Sequence, residues 1–282
     1  MAYVDVPTKK QKLFLYEKKA KKLKTDFTIK EFQKSRKLST KKHMRKSFGR
    51  IAICLNYKIP ETIPLGELDK ICLIVSHTYE RDDYRLGVGP LNDGYLVGVH
   101  YHRLGFKVFY FNNTNRVEFL TYLKFFLQNA TQNFTLYYSG RIGSLTDLYS
   151  NETHHTLLFD QGYVRDDELH ELLSEYSDTK AKIVLITDAY NGGAFWNISE
   201  TDKSKLPKNV VSLSTKIEPN LLTKPHRLHG LFTFYICRLI NETPDITPSR
   251  LNERISPPLN RFHETFVCET SNPALYETPL FD

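Results

Sequence analysis

The chain is poor in the features that mark several classes of protein. Only four of its 282 residues are cysteines, Cys54, Cys72, Cys237 and Cys268, and no two stand in C-x-x-C spacing. Their apolar neighbourhoods predict buried free thiols in a reducing compartment rather than a disulfide framework or a zinc site. No apolar run approaches the ~18–20 residues of a membrane helix, so no transmembrane segment is expected. The first residues carry lysines and lack the apolar stretch and small-residue cleavage site of a secretory signal. These absences point to an intracellular protein, cytoplasmic or nuclear. Hydrophobic residues make up 40% of the chain and aromatics 13%, enough to bury a full core and to exclude wholesale disorder.

Charge is divided unevenly. Residues 1–50 hold 17 Lys or Arg and 4 Asp or Glu, a balance of +13. The whole chain holds 39 and 32, which leaves 22 basic and 28 acidic side chains for residues 51–282, a balance of −6. Two units are expected, a basic arm over 1–50 and a folded body over 51–282. In the arm, Leu13, Tyr16, Ala20 and Leu23 recur at helical spacing among lysines, as in a basic amphipathic helix. Lys18, Lys19, Lys21, Lys22 and Lys24, with Lys41, Lys42, Arg45 and Lys46, form clusters suited to a polyanion, either nucleic acid or anionic lipid. The alternative is a solvated arm resting weakly on the body.

The body alternates strand-like runs with helical periodicity. Strands are predicted at Ile71–Ser76, Lys107–Phe111, Phe134–Tyr138, Lys182–Thr187, Asn209–Leu213 and Phe266–Cys268. Helices are predicted over Asn92–Arg103, through Val117 to Leu127, from Asp166 to Tyr176, and over His229–Ile240. Alternation of this kind implies βαβ units, an α/β three-layer sandwich around a mostly parallel sheet of about six strands. Ligands of such sheets bind beyond the carboxyl ends of the strands, so Ser76–His77, Ser139–Arg141 and Asp188–Gly193 become the residues of interest.

At those positions the chain resembles the caspase-like peptidases, and the metacaspases in particular. One strand ends Tyr137-Tyr138-Ser139-Gly140-Arg141, where that family has Y-S-G-H-G with a general-base His. The next ends Asp188-Ala189-Tyr190-Asn191-Gly192-Gly193, where the family has D-S-C-H-S-G with a nucleophilic Cys. Gly87–Asp93, Asp166-Asp167-Glu168 and HGLFTFYICRLI from His229 resemble further family segments in the same order.

The resemblance thus places Arg141 at the base position and Tyr190 at the nucleophile position. A guanidinium stays protonated and cannot take a proton from a thiol, and a phenol of pKa ~10 without a base is a poor nucleophile. The expected protein is a catalytically inactive pseudoprotease that binds or scaffolds, taking a protein or a basic peptide segment as partner and no cofactor. An active hydrolase using other residues is the alternative, with His77 the candidate substitute base, and polyanion binding through the arm is a third reading. By resemblance, Asp93, Ser139 and Asp188 match an acidic pocket for Arg or Lys, which Arg141 could fill from within. The plainer reading puts Asp93 at a helix N-cap and Asp188 in a turn. Asp166 and Asp167 match calcium positions of the family, but the neighbouring Thr153-His154-His155-Thr156 offers no carboxylate. No metal is therefore expected, and no third ligand is evident to join the two histidines.

Overall fold

The structure is a computed structural model that describes residues 3–5, 50–55, 62–64, 68–79, 86–146, 152–176, 178–189, 192, 195–198, 206–217 and 230–281. Nearly all of the basic arm, including its lysine clusters, lies outside the described residues. The described exceptions are Arg50 and β1 (Tyr3–Asp5), which pairs antiparallel with β3 (Thr62–Pro64).

A seven-stranded sheet forms the centre. Its strands are β2 (Ile53–Cys54), β4 (Lys70–Ser76), β5 (Lys107–Asn112), β6 (Asn133–Gly140), β10 (Lys182–Ala189), β11 (Val210–Ile217) and β12 (Glu264–Thr270), in spatial order β12-β11-β10-β6-β4-β5-β2. All neighbours run parallel except β11 and β12. The six strands expected from the sequence are all present, and the two-residue β2 extends the sheet by one at its edge.

Apolar runs such as Ile71–Val75 become strands because both faces are covered by helices, so every side chain meets core. Alternation then decides which layer each residue enters. Ile71, Leu73, Val75, Phe134, Leu136, Tyr138, Ile183 and Leu185 join the core with α2 (Arg116–Asn129) and α3 (Asp166–Ser174). Cys72, Ile74, Tyr137, Val184 and Ile186 face the opposite layer, built by α1 (Gly89–Arg103), α4 (Leu231–Glu242) and α5 (Pro248–Asn260).

Helix starts follow local chemistry. Asn115 caps α2 by accepting the Glu118 N–H at 2.9 Å, and Thr247 caps α5 by accepting that of Arg250 at 3.3 Å; each meets one of the donors that a helix N-terminus leaves unpaired. Outside the main sheet, β7 (Ile142–Thr146), β8 (Thr153–Leu158) and β9 (Tyr163–Arg165) form a small antiparallel sheet. No helix among the described residues is long and apolar enough to cross a membrane.

Candidate functional site

The carboxyl ends of β4, β6 and β10 stand side by side. Register places Ser76 beside Ser139, and Ser139 beside Asp188, on the face toward α1 and α4. The sheet continues one residue further, the His77 N–H donating to the Ser139 carbonyl at 2.8 Å. Helix α1 approaches this row closely because residue 94 is glycine: a Cβ there would sit 2.5 Å from Ser76 Oγ.

Asp93 and Asp188 both turn to the start of α4. The Asp93 carboxylate accepts the Gly230 N–H at 3.0 and 3.1 Å. Asp188 accepts the Thr233 hydroxyl, which also pairs with the Tyr137 hydroxyl at 2.7 Å. The N-cap residue of α4 is Gly230, with no side chain to offer. Acceptor oxygens from α1 and β10 therefore serve its first turn, whose N–H groups have no intrahelical partner. A methyl at Gly230 would overlap Asp188, so the glycine is a condition of this approach. Burial pushes the Asp93 carboxyl well above the usual carboxylate range, and the Gly230 hydrogen bond only partly opposes that. Burial also raises the Tyr137 phenol, reinforced by Asp188 and Asp93.

The sequence's plainer reading of these two acids is corrected in detail. Asp93 lies inside α1, whose N-cap is Val88, and it serves the first turn of another helix; Asp188 lies within β10 rather than in a turn. Ser139 is buried at the end of β6 and in register with Asp188, so all three pocket candidates lie in one region.

On the opposite face, His77 is sealed in rings. It stacks on Tyr79 with centroids 5.4 Å apart, meets Phe159 edge-on at 4.9 Å and approaches Tyr138 at 5.7 Å. Its exposure is 0%, and neither ring nitrogen has a hydrogen-bond partner among the described residues. Burial lowers its pKa to about 3, since charge there has no water.

Tyr79 reaches this position from a left-handed backbone, φ +56°, and Asn113 faces it at φ +50°. The Asn113 carbonyl oxygen accepts the Thr78 and Tyr79 N–H groups at 2.7 and 3.3 Å, holding that strained turn. The Tyr79 hydroxyl then accepts the Arg141 N–H at 2.6 Å and lies 3.3 Å from the Tyr138 hydroxyl. Tyr138 donates toward the Arg141 and Leu158 carbonyls at 3.0 and 2.9 Å. The backbone of Arg141 is thereby held at the junction of β6 and β7 by two tyrosines. Burial raises the Tyr79 phenol to about 12. Gly140 is required here, because a Cβ would sit 2.6 and 2.8 Å from the two hydroxyls. Tyr190, Asn191, Gly193 and His229 lie outside the described residues.

A second cluster forms where β8 pairs with β9. His154 Nδ1 lies 3.5 Å from Asp166 and 3.7 Å from Asp167, so His154 is the third group that the sequence did not reveal. Both carboxylates have partners: Asp166 accepts the His155 and Asp167 N–H groups at 3.0 and 2.9 Å, and Asp167 pairs with Arg165 at 2.8 Å. An imidazole and two engaged carboxylates do not fit the six to eight oxygen ligands that calcium takes.

Tyr79, Tyr137, Thr233 and Gly230 are members of the site that sequence reasoning passed over. The Tyr137-Tyr138 pair stood within the quoted motif and Thr233 within the quoted helix, but their hydroxyls acquire roles only through partners distant in sequence.

No protein-family model matches the chain, and no curated protein matches it. Solved structures do. The Drosophila initiator caspase Dronc matches with a TM-score of 0.53 and 14% identity, over 75% of this chain and 82% of that one. Caspase-1 from Spodoptera frugiperda matches at 0.51 and 12%, over 73% and 87%. With strands, helices and layers in the order described above, the chain has a caspase-like α/β fold.

Proposed function

We propose that the chain is a metacaspase-like pseudoprotease: a caspase-like body that binds a protein or basic peptide segment without cleaving it. The observation that carries this reading is the state of His77. Among the described residues it is the imidazole at the carboxyl ends of β4, β6 and β10, and it is enclosed by Tyr79, Tyr138 and Phe159 with its pKa lowered to about 3. A general base needs reach to the proton it abstracts and a pKa near the working pH; His77 has neither. The motif alignment adds Arg141 and Tyr190 at the dyad positions, neither of which performs the thiolate–imidazole chemistry of that family. Asp93 and Asp188, the acids of the matched pocket, are engaged with the start of α4.

The arm supplies the address in this reading. Its balance of +13 suits a polyanion and a cytoplasmic or nuclear setting. The test of the body is turnover of peptides bearing Arg or Lys before the scissile bond, which should survive with the protein as they do in buffer. Activity that co-purifies with the protein and vanishes on Tyr190→Phe or His77→Ala would replace this reading with an active hydrolase.

A further inference from the structure

The two adjacent histidines of β8 meet different surroundings, and pairing with β9 decides which of them faces the acids that open α3. Register sets Thr156 opposite Arg165, so the chain turns into α3 beside His154. His154 Nδ1 stands 3.5 Å from Asp166 Oδ1 and 3.7 Å from Asp167 Oδ2, and the ligand atoms of the three side chains lie within 4.8 Å of one another. His155 is placed differently: its main-chain N–H goes to Asp166, and its ring nitrogen lies 3.4 Å from Ser144 Oγ.

These separations suit a small ion. A tetrahedral centre with bonds of about 2.0–2.1 Å to nitrogen and oxygen sets its ligands ~3.3–3.4 Å apart, so small side-chain rotations bring the trio onto it. The carboxylates are engaged without being used up. Each of their four oxygens accepts an N–H, from His155, Asp167, Glu168 or Arg165, and with about four lone-pair sites per carboxylate each oxygen keeps one for a metal. Such outer partners orient metal ligands. A further observation comes from Thr156, two residues beyond His154 and so on the same face of β8. It is 1% exposed, and its hydroxyl has no hydrogen-bond partner among the described residues. A metal-bound water is a partner of the kind it lacks.

Donor chemistry selects the metal. An imidazole nitrogen with two carboxylates suits zinc and its first-row neighbours, whereas the calcium that the family resemblance implies takes six to eight oxygens. We propose that His154, Asp166 and Asp167 hold one zinc ion, with water in the fourth position, and that the ion clips β8 to the start of α3. Arg165, paired with Asp167 at 2.8 Å, is its built-in competitor. The clip uses none of the groups at the ends of β4, β6 and β10, so it stands or falls separately from the pseudoprotease reading.

The test titrates the full, tag-free and chelator-treated chain with zinc chloride by calorimetry. It should take up one equivalent that depends on His154, with a dissociation constant on the order of micromolar, weaker than four-ligand structural sites. His154→Ala should weaken that equivalent at least ~100-fold, beyond the ~10–100-fold that loss of an outer partner costs, while His155→Ala should bind as the unmodified chain does. If alanine unfolds the chain, His154→Gln provides the same comparison. Arg165→Gln should bind ~10-fold more tightly, because it removes a positive charge beside a divalent ion. Cobalt(II) should give the intense visible bands of a four-coordinate centre in the unmodified chain and not in His154→Ala, and zinc should raise Tm where millimolar calcium does not. The proposal is overturned if no zinc binds, if the His154 variants bind it as tightly as the unmodified chain, if His154 and His155 variants lose it alike, or if calcium stabilises the chain as zinc does.

Discussion

If Asp93 exists to serve α4, then Asp93→Asn and Asp93→Ala should behave oppositely at neutral pH. Asp93 is 4% exposed and accepts the Gly230 N–H through both oxygens. Alanine removes the acceptor and leaves a half-buried N–H at a helix start that has no capping side chain, at a cost of about 1 kcal/mol, up to ~3 where water cannot reach it. At about 2–4 °C per kcal/mol for a domain of this size, that is a readily measured fall in Tm. Asparagine keeps a carbonyl oxygen in place and removes the buried charge. The folded-state pKa of Asp93 lies above its ordinary value of 3.8, with burial the main cause. The native state therefore holds this proton more tightly than the unfolded chain does. The stability this contributes is present in full below pH 3.8 and is lost as pH rises through the window up to the folded value, at about 1.4 kcal/mol per pH unit. Asp93→Asn should accordingly match the unmodified protein near pH 4 and gain on it progressively toward pH 7, as measured by urea unfolding at fixed ionic strength. If Asp93 were instead kept ionised for a cationic ligand, Asp93→Asn would destabilise the fold at pH 7 as much as Asp93→Ala does. That result, or a difference between asparagine and aspartate that does not change with pH, refutes the reasoning.

Three further outcomes are expected. His77, with its folded pKa lowered to about 3 from an ordinary 6.5, costs stability as pH falls below 6.5, because the unfolded chain takes up the proton first; His77→Phe should flatten that acid limb in a pH series of unfolding curves, and an unchanged slope would contradict it. Gly140→Ala should lower stability by about 1–3 kcal/mol through overpacking against the Tyr79 and Tyr138 hydroxyls, while Gly105→Ala, with open space around its Cβ, tests only the strain of its φ of +85°. Polyanion binding should fall by ~10³ or more between 50 and 200 mM salt if about six phosphates are neutralised. Filter binding that is insensitive to salt, or to deletion of residues 1–50, would remove the arm's proposed role.

The central sheet was legible because parallel strands covered on both faces read as uninterrupted apolar runs; Ile71–Val75 and Ile183–Ile186 are of this kind. The small sheet was not, since Ile142–Thr146 carries a glycine, a serine and a threonine, and its residues are half-buried or exposed. Helix α5 was masked by Pro257-Pro258, which argue against a helix. They fall in its last turns, while Leu251, Ile255 and Leu259 keep one buried face.

The site was legible in its positions and not in its bonds. Ser76, Ser139 and Asp188 were found as strand ends, but the Asp93–Gly230 contact spans 137 residues of sequence, and no local pattern announces it. His154 shares a cluster with Asp166 only because β8 and β9 pair antiparallel. Tyr79 becomes the neighbour of Arg141 through a left-handed turn held by Asn113, and tyrosine is a residue for which sequence alone predicts no such conformation.

The central claim is that the strand ends hold no nucleophile that an arginine-directed substrate can reach. The most direct measurement is exposure of the purified, unmodified chain to a peptide ending in an arginyl chloromethyl ketone, read by intact mass spectrometry. Such a reagent reports an activated nucleophile even where turnover is too slow to follow. The account predicts no mass increase at saturating reagent. A single stoichiometric adduct mapping to the ends of β4, β6 or β10, and suppressed by a competing arginine-containing peptide, would contradict it.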